Sequence, residues 1–279
     1  MIGYEYFSDQ NVIWRNNQNT IMPIGSLLNF PVDEKTCHRM LLEKKSYLIR
    51  WESEFDTFNE GSWWHVIKSD VENLEDYSKK VRYEIRRAAK KYTVLKVCRS
   101  TIIEHGFLVY KSSYERYDTH EPMYSEGLFK KQVCLLPENT EFFGVYDNDT
   151  LVGFSENFVD NGTCFYVSMW VTPDSMKCSA SYLLFHEMNK YYLNELKFHY
   201  VSDGARSLSH NTNIHKFLIS KFKFRKAFCK LNVIYDWKVG LMLKITRPFE
   251  RFILNSGSNL LHPLKVLIKL DLIKRGDDV

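Results

Sequence analysis

Hydrophobic and polar positions keep two different rhythms along this chain, and the change between them is sharpest at residues 164–196. Phe165-Tyr-Val-Ser-Met-Trp-Val171 is a β-branched and aromatic run, the composition of a buried strand. Thr172-Pro173-Asp174 interrupts it, because proline cannot continue a ladder and favours a turn. From Ser179 onward the apolar residues fall at Ala180, Leu183, Leu184, Met188, Tyr191 and Leu196, which predicts a helix with one buried face. A strand that turns tightly into a helix leaves N–H groups unpaired at the helix start, and with the helix dipole these attract anions. The stretch is therefore predicted to be a phosphate cradle, with Lys177–Ser181 at its lip.

The same two rhythms organise the rest. Ser46–Trp51 and Ser62–Ile67 predict strands around a polar turn, read first as a hairpin on the edge of the main sheet and second as a degenerate first half of a tandem domain. Asn73–Lys91 predicts a strongly basic helix with Tyr77, Val81, Ile85, Ala88 and Tyr92 on its apolar face and Glu75 and Asp76 in its first turn. A strand at 93–98, helices at 101–117 and near 127–135, and a hairpin of 141–146 with 151–158 follow. Past the organising helix come a strand at 198–202, a polar loop at 203–213, a helix at 214–221 and a long closing strand at 224–235. Two loops hold candidate chemistry. The first carries Asp118, His120, Glu121, Tyr124 and Glu126; the second carries Asp203, Arg206, His210 and Asn213.

Ser175-Met-Lys-Cys-Ser-Ala-Ser-Tyr-Leu-Leu184 resembles the pyrophosphate loop of the GNAT superfamily of acyl-CoA N-acyltransferases, whose pattern is Arg/Gln-x-x-Gly-x-Gly/Ala followed by an apolar helix start. Ala180 and Leu183-Leu184 fit that pattern, while Ser175 and Cys178 depart from it. Three antiparallel strands followed by strand–helix–strand is also the family's central order. Tyr77–Lys90 resembles a helix of the Fem-type transferases on the same fold. The resemblance implies an α+β fold with a mixed sheet: an N-terminal β extension over 1–70, a GNAT-like acyltransferase domain over 71–247 and an amphipathic helical tail over 248–279.

By the same resemblance the chain transfers an acyl group, most simply acetyl from acetyl-CoA, to a small-molecule amine or amino sugar. Backbone N–H groups near Met169, Trp170 and Val171 would polarise the thioester, while Lys177, Cys178, Ser179, Ala180, Ser181 and Asn213 would bind the cofactor. An amine nucleophile must shed a proton, so Glu156 is the first candidate base and His210 the second. His120, Glu121, Tyr124, Asp203 and Arg206 would face the acceptor. Ile219 stands where the family often has a tyrosine that protonates the leaving thiolate, and Lys223 replaces a glycine. Two alternatives remain open: a Fem-like transferase that uses aminoacyl-tRNA, and a binding protein without catalysis.

Composition changes this picture little. The chain has 279 residues, of which 44% are hydrophobic and 15% aromatic, enough for a folded core. Its net charge of +4 excludes nothing, and the basic helix reads first as a solvated surface rather than a nucleic-acid site. The six cysteines include no CxxC pair, so neither a metal site nor a disulfide framework is expected. No signal peptide or membrane span is apparent, and a reducing cytoplasm is the expected compartment. Apolar stretches at 247–254 and 260–273, edged by lysines, are expected to pack on the domain or against a second subunit, with contact to a membrane surface as the other reading.

Overall fold

A computed structural model describes residues 4–9, 11–25, 27, 32–116, 122–208 and 213–277. The chain opens with a meander of β1 (Glu5–Asp9), β2 (Val12–Asn17) and β3 (Thr20–Ile24), then α1 (Glu34–Glu43). Gln18 and Asn19 join β2 to β3 with φ of 50° and 59°, the left-handed pair that a tight two-residue hairpin needs. β4 (Leu48–Phe58), β5 (Trp64–Lys68), α2 (Lys79–Ala89), β6 (Tyr92–Val97), α3 (Arg99–Tyr114) and α4 (Glu126–Leu135) follow. Then come β7 (Thr140–Asp147), β8 (Thr150–Asp160), β9 (Thr163–Val171), α5 (Pro173–Lys177) and α6 (Ala180–Asn189), which runs into a π-helical turn at Lys190–Glu195. β10 (Tyr200–Ala205), α7 (Ile214–Phe222), β11 (Arg225–Tyr235), α8 (Trp237–Thr246), α9 (Glu250–Asn255) and α10 (His262–Arg275) complete the chain.

Eleven strands form one mixed sheet in the order β1-β2-β3-β4-β11-β5-β10-β9-β8-β7-β6. Only β3 with β4 and β9 with β10 run parallel among its neighbours. The meander β6–β9, followed by strand–helix–strand with a parallel β9/β10 pair, is the GNAT arrangement that the element order predicts. The expected edge hairpin of 46–51 with 62–67 is corrected. Both strands form, but β11 lies between them, pairing Val233 with Arg50 on one side and Ala227 with His65 on the other. The polar turn between them reads as a hairpin locally, and no local signal announces a strand arriving from 160 residues later in the chain.

Helices cover both faces. α2, α6 and α7 bury Val81, Ile85, Leu184, Met188, Leu218 and Phe222 on the outer face, while α3 and α4 pack Tyr110 and Phe129 on the inner face against Phe142 and Phe154. The sheet curls so far that the Tyr4 N–H of the first strand's approach donates to Gln132 Oε1 on α4 at 2.9 Å. Gly25 lies as close: a β-carbon there would stand 2.5 Å from Asp160 Oδ2 at the end of β8, and its φ of 118° also favours glycine. The first and second halves of the chain thus face each other across the inner surface.

Two helices differ from expectation. α2 begins at Lys79, capped by the Ser78 hydroxyl, so Glu75 lies before it and pairs with Arg86 at 2.7 Å. α6 follows the predicted apolar face up to Met188. The π-helical turn then inserts an extra residue per turn, which buries Tyr192 and Leu193 and turns Leu196 out to solvent.

A buried polar network fastens β5 to these helices. Glu72, whose side chain is fully buried, accepts from Tyr77 Oη at 2.5 Å, meets His186 Nδ1 at 2.8 Å and lies 3.4 Å from Lys68 Nζ. Its own backbone exchanges two 2.7 Å bonds with the Asn194 amide. Removing the carboxylate strands the buried Lys68 ammonium, so Glu72→Ala should cost about 3–5 kcal/mol in urea unfolding. The double replacement Lys68→Met/Glu72→Leu should recover most of that loss; a cost below about 1 kcal/mol for Glu72→Ala would show that the network is not a brace.

Candidate active site at the parted strands

β9 and β10 hold their parallel ladder only from Thr163 to Phe165, opposite Tyr200–Ser202, and then part. On its other edge β9 stays on β8, with a bulge between the Asn157–Tyr166 and Glu156–Ser168 pairs. The Thr172 N–H bond to Val152 O fixes which way the strand's amides point. By alternation Trp170 N–H faces β8, whereas Met169 and Val171 N–H face the gap. The gap therefore presents two of the three expected backbone donors. Trp170 contributes its ring instead, set edge-on to Tyr110 at 4.8 Å.

Glu156 lies on β8 beside this opening, on the inner face. Its carboxylate accepts from Ser168 Oγ at 2.7 Å. Burial raises its pKa above the ordinary carboxylate value, opposed by the Ser168 bond and the Arg99 charge. A carboxylate so raised is a stronger base than one in water.

The inner face around Glu156 carries charge that sequence reasoning missed. Tyr6 lies within electrostatic reach of both Glu156 and Arg15. Arg15 and Arg50 each direct Nη2 at Met22 Sδ, at 3.2 and 3.5 Å. Arg50 lies 5.0 Å over the Trp63 ring, whose Nε1 donates to Glu52 Oε1 at 3.1 Å. Glu52 stands 3.5 Å from His65 Nε2, an ion-pair distance rather than a hydrogen bond. The His65 ring meets Phe55 edge-on, and Phe55 packs on Tyr200, which meets Phe165 on β9. The chain of contacts runs from one edge of the gap around the inner face to the other.

Among the described residues, Tyr6 Oη, Arg15 Nε and both His65 ring nitrogens are buried without a hydrogen-bond partner. Unpartnered buried polar groups are costly, so their gathering on one face marks where a polar ligand would be satisfied. The sequence does hold a trace of this: Arg50 and Glu52 alternate with Ile49 and Trp51, placing two charged residues on the inward side of β4.

On the outer side of the gap Asp203 pairs with His215 on α7 at 3.3 Å, His215 buried and Asp203 nearly so. Burial raises the Asp203 pKa, opposed by His215. Asp203 and Arg206 do not pair with each other. Asp203 points to α7, while Arg206 lies past the strand's end, donating to Ser62 O at 2.7 Å. Tyr124 stacks on Tyr110 at 5.7 Å, one ring removed from Trp170. His120, Glu121 and His210 lie outside the described residues. Asn213 sits exposed before α7 and its side chain makes no cap bond. Lys223, in the family's glycine position, takes the left-handed φ of 56° that favours glycine there.

The expected phosphate cradle is built differently from its sequence reading. Pro173 occupies the first turn of α5 instead of a free loop, as its fixed φ and missing N–H allow. The N–H groups of Cys178 and Ser179 are bound to carbonyls of α5, and that of Tyr182 to Ser179 O. Ser179 Oγ donates to Glu84 Oε2 at 2.5 Å and accepts from Arg87 Nη2 at 2.6 Å; Arg87 also holds Lys177 O. A carboxylate of the protein itself thus lies at the start of α6. Ala180 and Ser181 are buried beneath it and Lys177 is exposed, paired with Asp174. No group of three His, Cys, Asp or Glu residues among the described residues could hold a metal ion.

α2, which supplies Glu84 and Arg87, carries the most basic surface nearby. Lys79, Arg82, Tyr83, Arg86, Arg87 and Lys90 line a shallow hollow of about 430 Å³. Tyr83 is 61% exposed, a stacking ring overlooked when only the apolar face was read.

No protein-family model matches the sequence, and no curated protein matches it. Solved structures do share its fold. FemX is similar over 81% of this chain and 86% of its own, with a TM-score of 0.51 and 11% identity. The C-terminal DUF2156 domain of an Agrobacterium fabrum protein assigned as a lysylphosphatidylglycerol synthetase covers 91% and 90%, at 0.54 and 12%. L-PGS from Bacillus licheniformis covers 98% and 89%, at 0.52 and 14%. The chain has a divergent GNAT-like fold with Fem resemblance.

Glu52 gives a test of the inner face. Burial alone would raise its pKa, but His65, the Arg50 charge and the Trp63 N–H outweigh it and bring it from 4.5 down to about 2. The folded value lies below the unfolded one, so the stabilisation is present above pH 4.5 and disappears as pH falls toward 2. The stability gap between wild type and Glu52→Gln should therefore be widest near neutrality and close below pH 4.5, read from urea midpoints. A gap constant with pH would place Glu52 outside any ionised pairing.

Proposed function

We propose that the chain is an acyltransferase whose donor is an aminoacyl ester carried on tRNA. The observation that carries this reading is the occupied start of α6. With Glu84 bound to Ser179 at 2.5 Å, an incoming pyrophosphate would meet a carboxylate where it needs donors. The basic hollow of α2 with exposed Tyr83 beside it suits a nucleic-acid backbone and an unstacked base. The fold likeness to FemX and to a protein whose name joins lysine to phosphatidylglycerol, over 81% and 91% of the chain, supports the same class.

In this reading the acceptor nucleophile attacks the ester carbonyl carbon and gives its proton to Glu156. The tetrahedral oxyanion is held by Met169 and Val171 N–H, each such donor being worth about 2.7–4 kcal/mol. The C–O bond to the ribose then breaks, and the leaving oxygen takes the proton back from Glu156. A second reading, acetyl transfer from acetyl-CoA to an amine, is favoured by the parted β9/β10 pair, which leaves room for a pantetheine arm.

Bulk tRNA charged with labelled amino acids separates the two. Protein-dependent loss of the aminoacyl label is expected, slowed 10²–10⁴-fold by Glu156→Gln as expected for a general base, roughly. A Lys79→Ala/Arg86→Ala/Lys90→Ala variant should bind tRNA more weakly and with a shallower salt dependence. Absence of transfer, together with a melting rise of several degrees in acetyl-CoA, would hand the function to the second reading. Saturation at a hundredfold excess over Kd adds about 2.7 kcal/mol of stability.

A further inference from the structure

We propose that the outer face of α8 and α9 docks onto a bilayer surface bearing anionic headgroups, an inference that rests on the tail alone and not on the reaction proposed above. The three tail helices already have their own small core, built on Leu243, Ile253 and Ile268. Apolar residues in excess of that core point away from it. Trp237, Leu241 and Ile245, spaced four apart on α8, are 68%, 51% and 64% exposed, and Phe249 and Phe252 continue the face at 61% and 78%. Large apolar side chains gathered in this way mark a contact surface rather than scattered exposure.

Charge says what covers the face. Lys238, Lys244, Arg247 and Arg251 are exposed along the same stretch, from the first turn of α8 to the first turn of α9. Glu250 is bound to Arg275 at 2.9 Å, and Arg247 lies 3.8 Å from Asp271, which leaves Lys238, Lys244 and Arg251 to set the charge of the face. Lys238 Nζ lies 5.6 Å over the Trp237 ring, so a cation and an indole, the pair suited to the headgroup layer, sit together at the start of α8. A second copy of the chain would bring the same basic residues against themselves, whereas anionic lipid neutralises them. No helix among the described residues is long and apolar enough to cross a membrane, so the contact is one of lying in the interface. α8 is only ten residues long, and Phe249 in the turn before α9 and Phe252 on α9 widen the seat.

Flotation of the full chain with phosphatidylcholine vesicles, with and without phosphatidylglycerol, tests this. Binding is expected on the phosphatidylglycerol vesicles only, falling as salt is raised. Leu241→Glu/Ile245→Glu should lower it roughly tenfold or more, and Lys238→Glu/Lys244→Glu should do likewise. All four positions are exposed, so circular dichroism and melting temperature should stay unchanged and separate lost docking from lost folding. Brominated acyl chains should quench part of the tryptophan emission, and Trp237→Phe should remove that part. Equal binding to neutral vesicles, or none to either, would overturn the proposal. So would a dimer in light scattering that Leu241→Glu/Ile245→Glu converts to monomer without any flotation, since a second copy would then be the occupant.

Discussion

β5 is hydrogen-bonded along both edges by strands from the far end of the chain, and the remaining architecture depends on that insertion. Its antiparallel partners are β10 and β11, which would be neighbours if β5 were absent. β10 cannot follow both β9 and β5 once they diverge. After Ser202 it leaves β9 and keeps to β5, reaching Ala205 opposite His65 through a bulge in which Gly204 takes a φ of 84°. The parted strands, and with them the inward N–H groups of Met169 and Val171, are thus a consequence of where a strand from the first half of the chain was placed. The loop beyond β5 is then held by Glu72, whose partners on α6 would otherwise face a buried lysine.

The insertion also fixes the electrostatics of the inner face. β5 turns His65 inward beside Glu52, and the curl of the sheet brings Tyr6 and Arg15 round toward Glu156. Burying these groups is expensive unless they are paired. Glu52 accepts from the Trp63 N–H with His65 and Arg50 close by and is held well below the usual carboxylate range, whereas Glu156 has a hydroxyl from Ser168 and is raised. Two carboxylates on one face thereby acquire opposite tendencies: one stays ionised as part of the frame, and the other is free to take a proton. The same economy of charge appears at the start of α6, where the protein's own Glu84 and Arg87 both bind the Ser179 hydroxyl.

Local pattern carried much of the second half of the chain. The composition of Phe165–Val171, the spacing of Leu183, Leu184 and Met188, and the Asx-rich turn at Asp147-Asn-Asp149 each encode an element that forms without help from distant residues. Glu156 was legible as well, because a carboxylate within an apolar strand is conspicuous. The first seventy residues were less so. β1 to β3 are short and half-buried, so their alternation is weak, and α1 is announced by little besides the Asp33 cap.

What the sequence by itself determined is the order of elements from β6 to β11 and the apolar faces of α2 and α6, since periodicity and turn chemistry act over a few residues. What only the tertiary structure decided is everything that depends on strand order: β11 between β4 and β5, the parting of β9 from β10, the meeting of Tyr6 with Arg15 and Glu156 and of His65 with Glu52, and the seating of Glu84 on Ser179. Backbone ladders pair any extended strands whose faces match, so the choice among partners is made by the burial of whole faces at once, and no short stretch of chain records it.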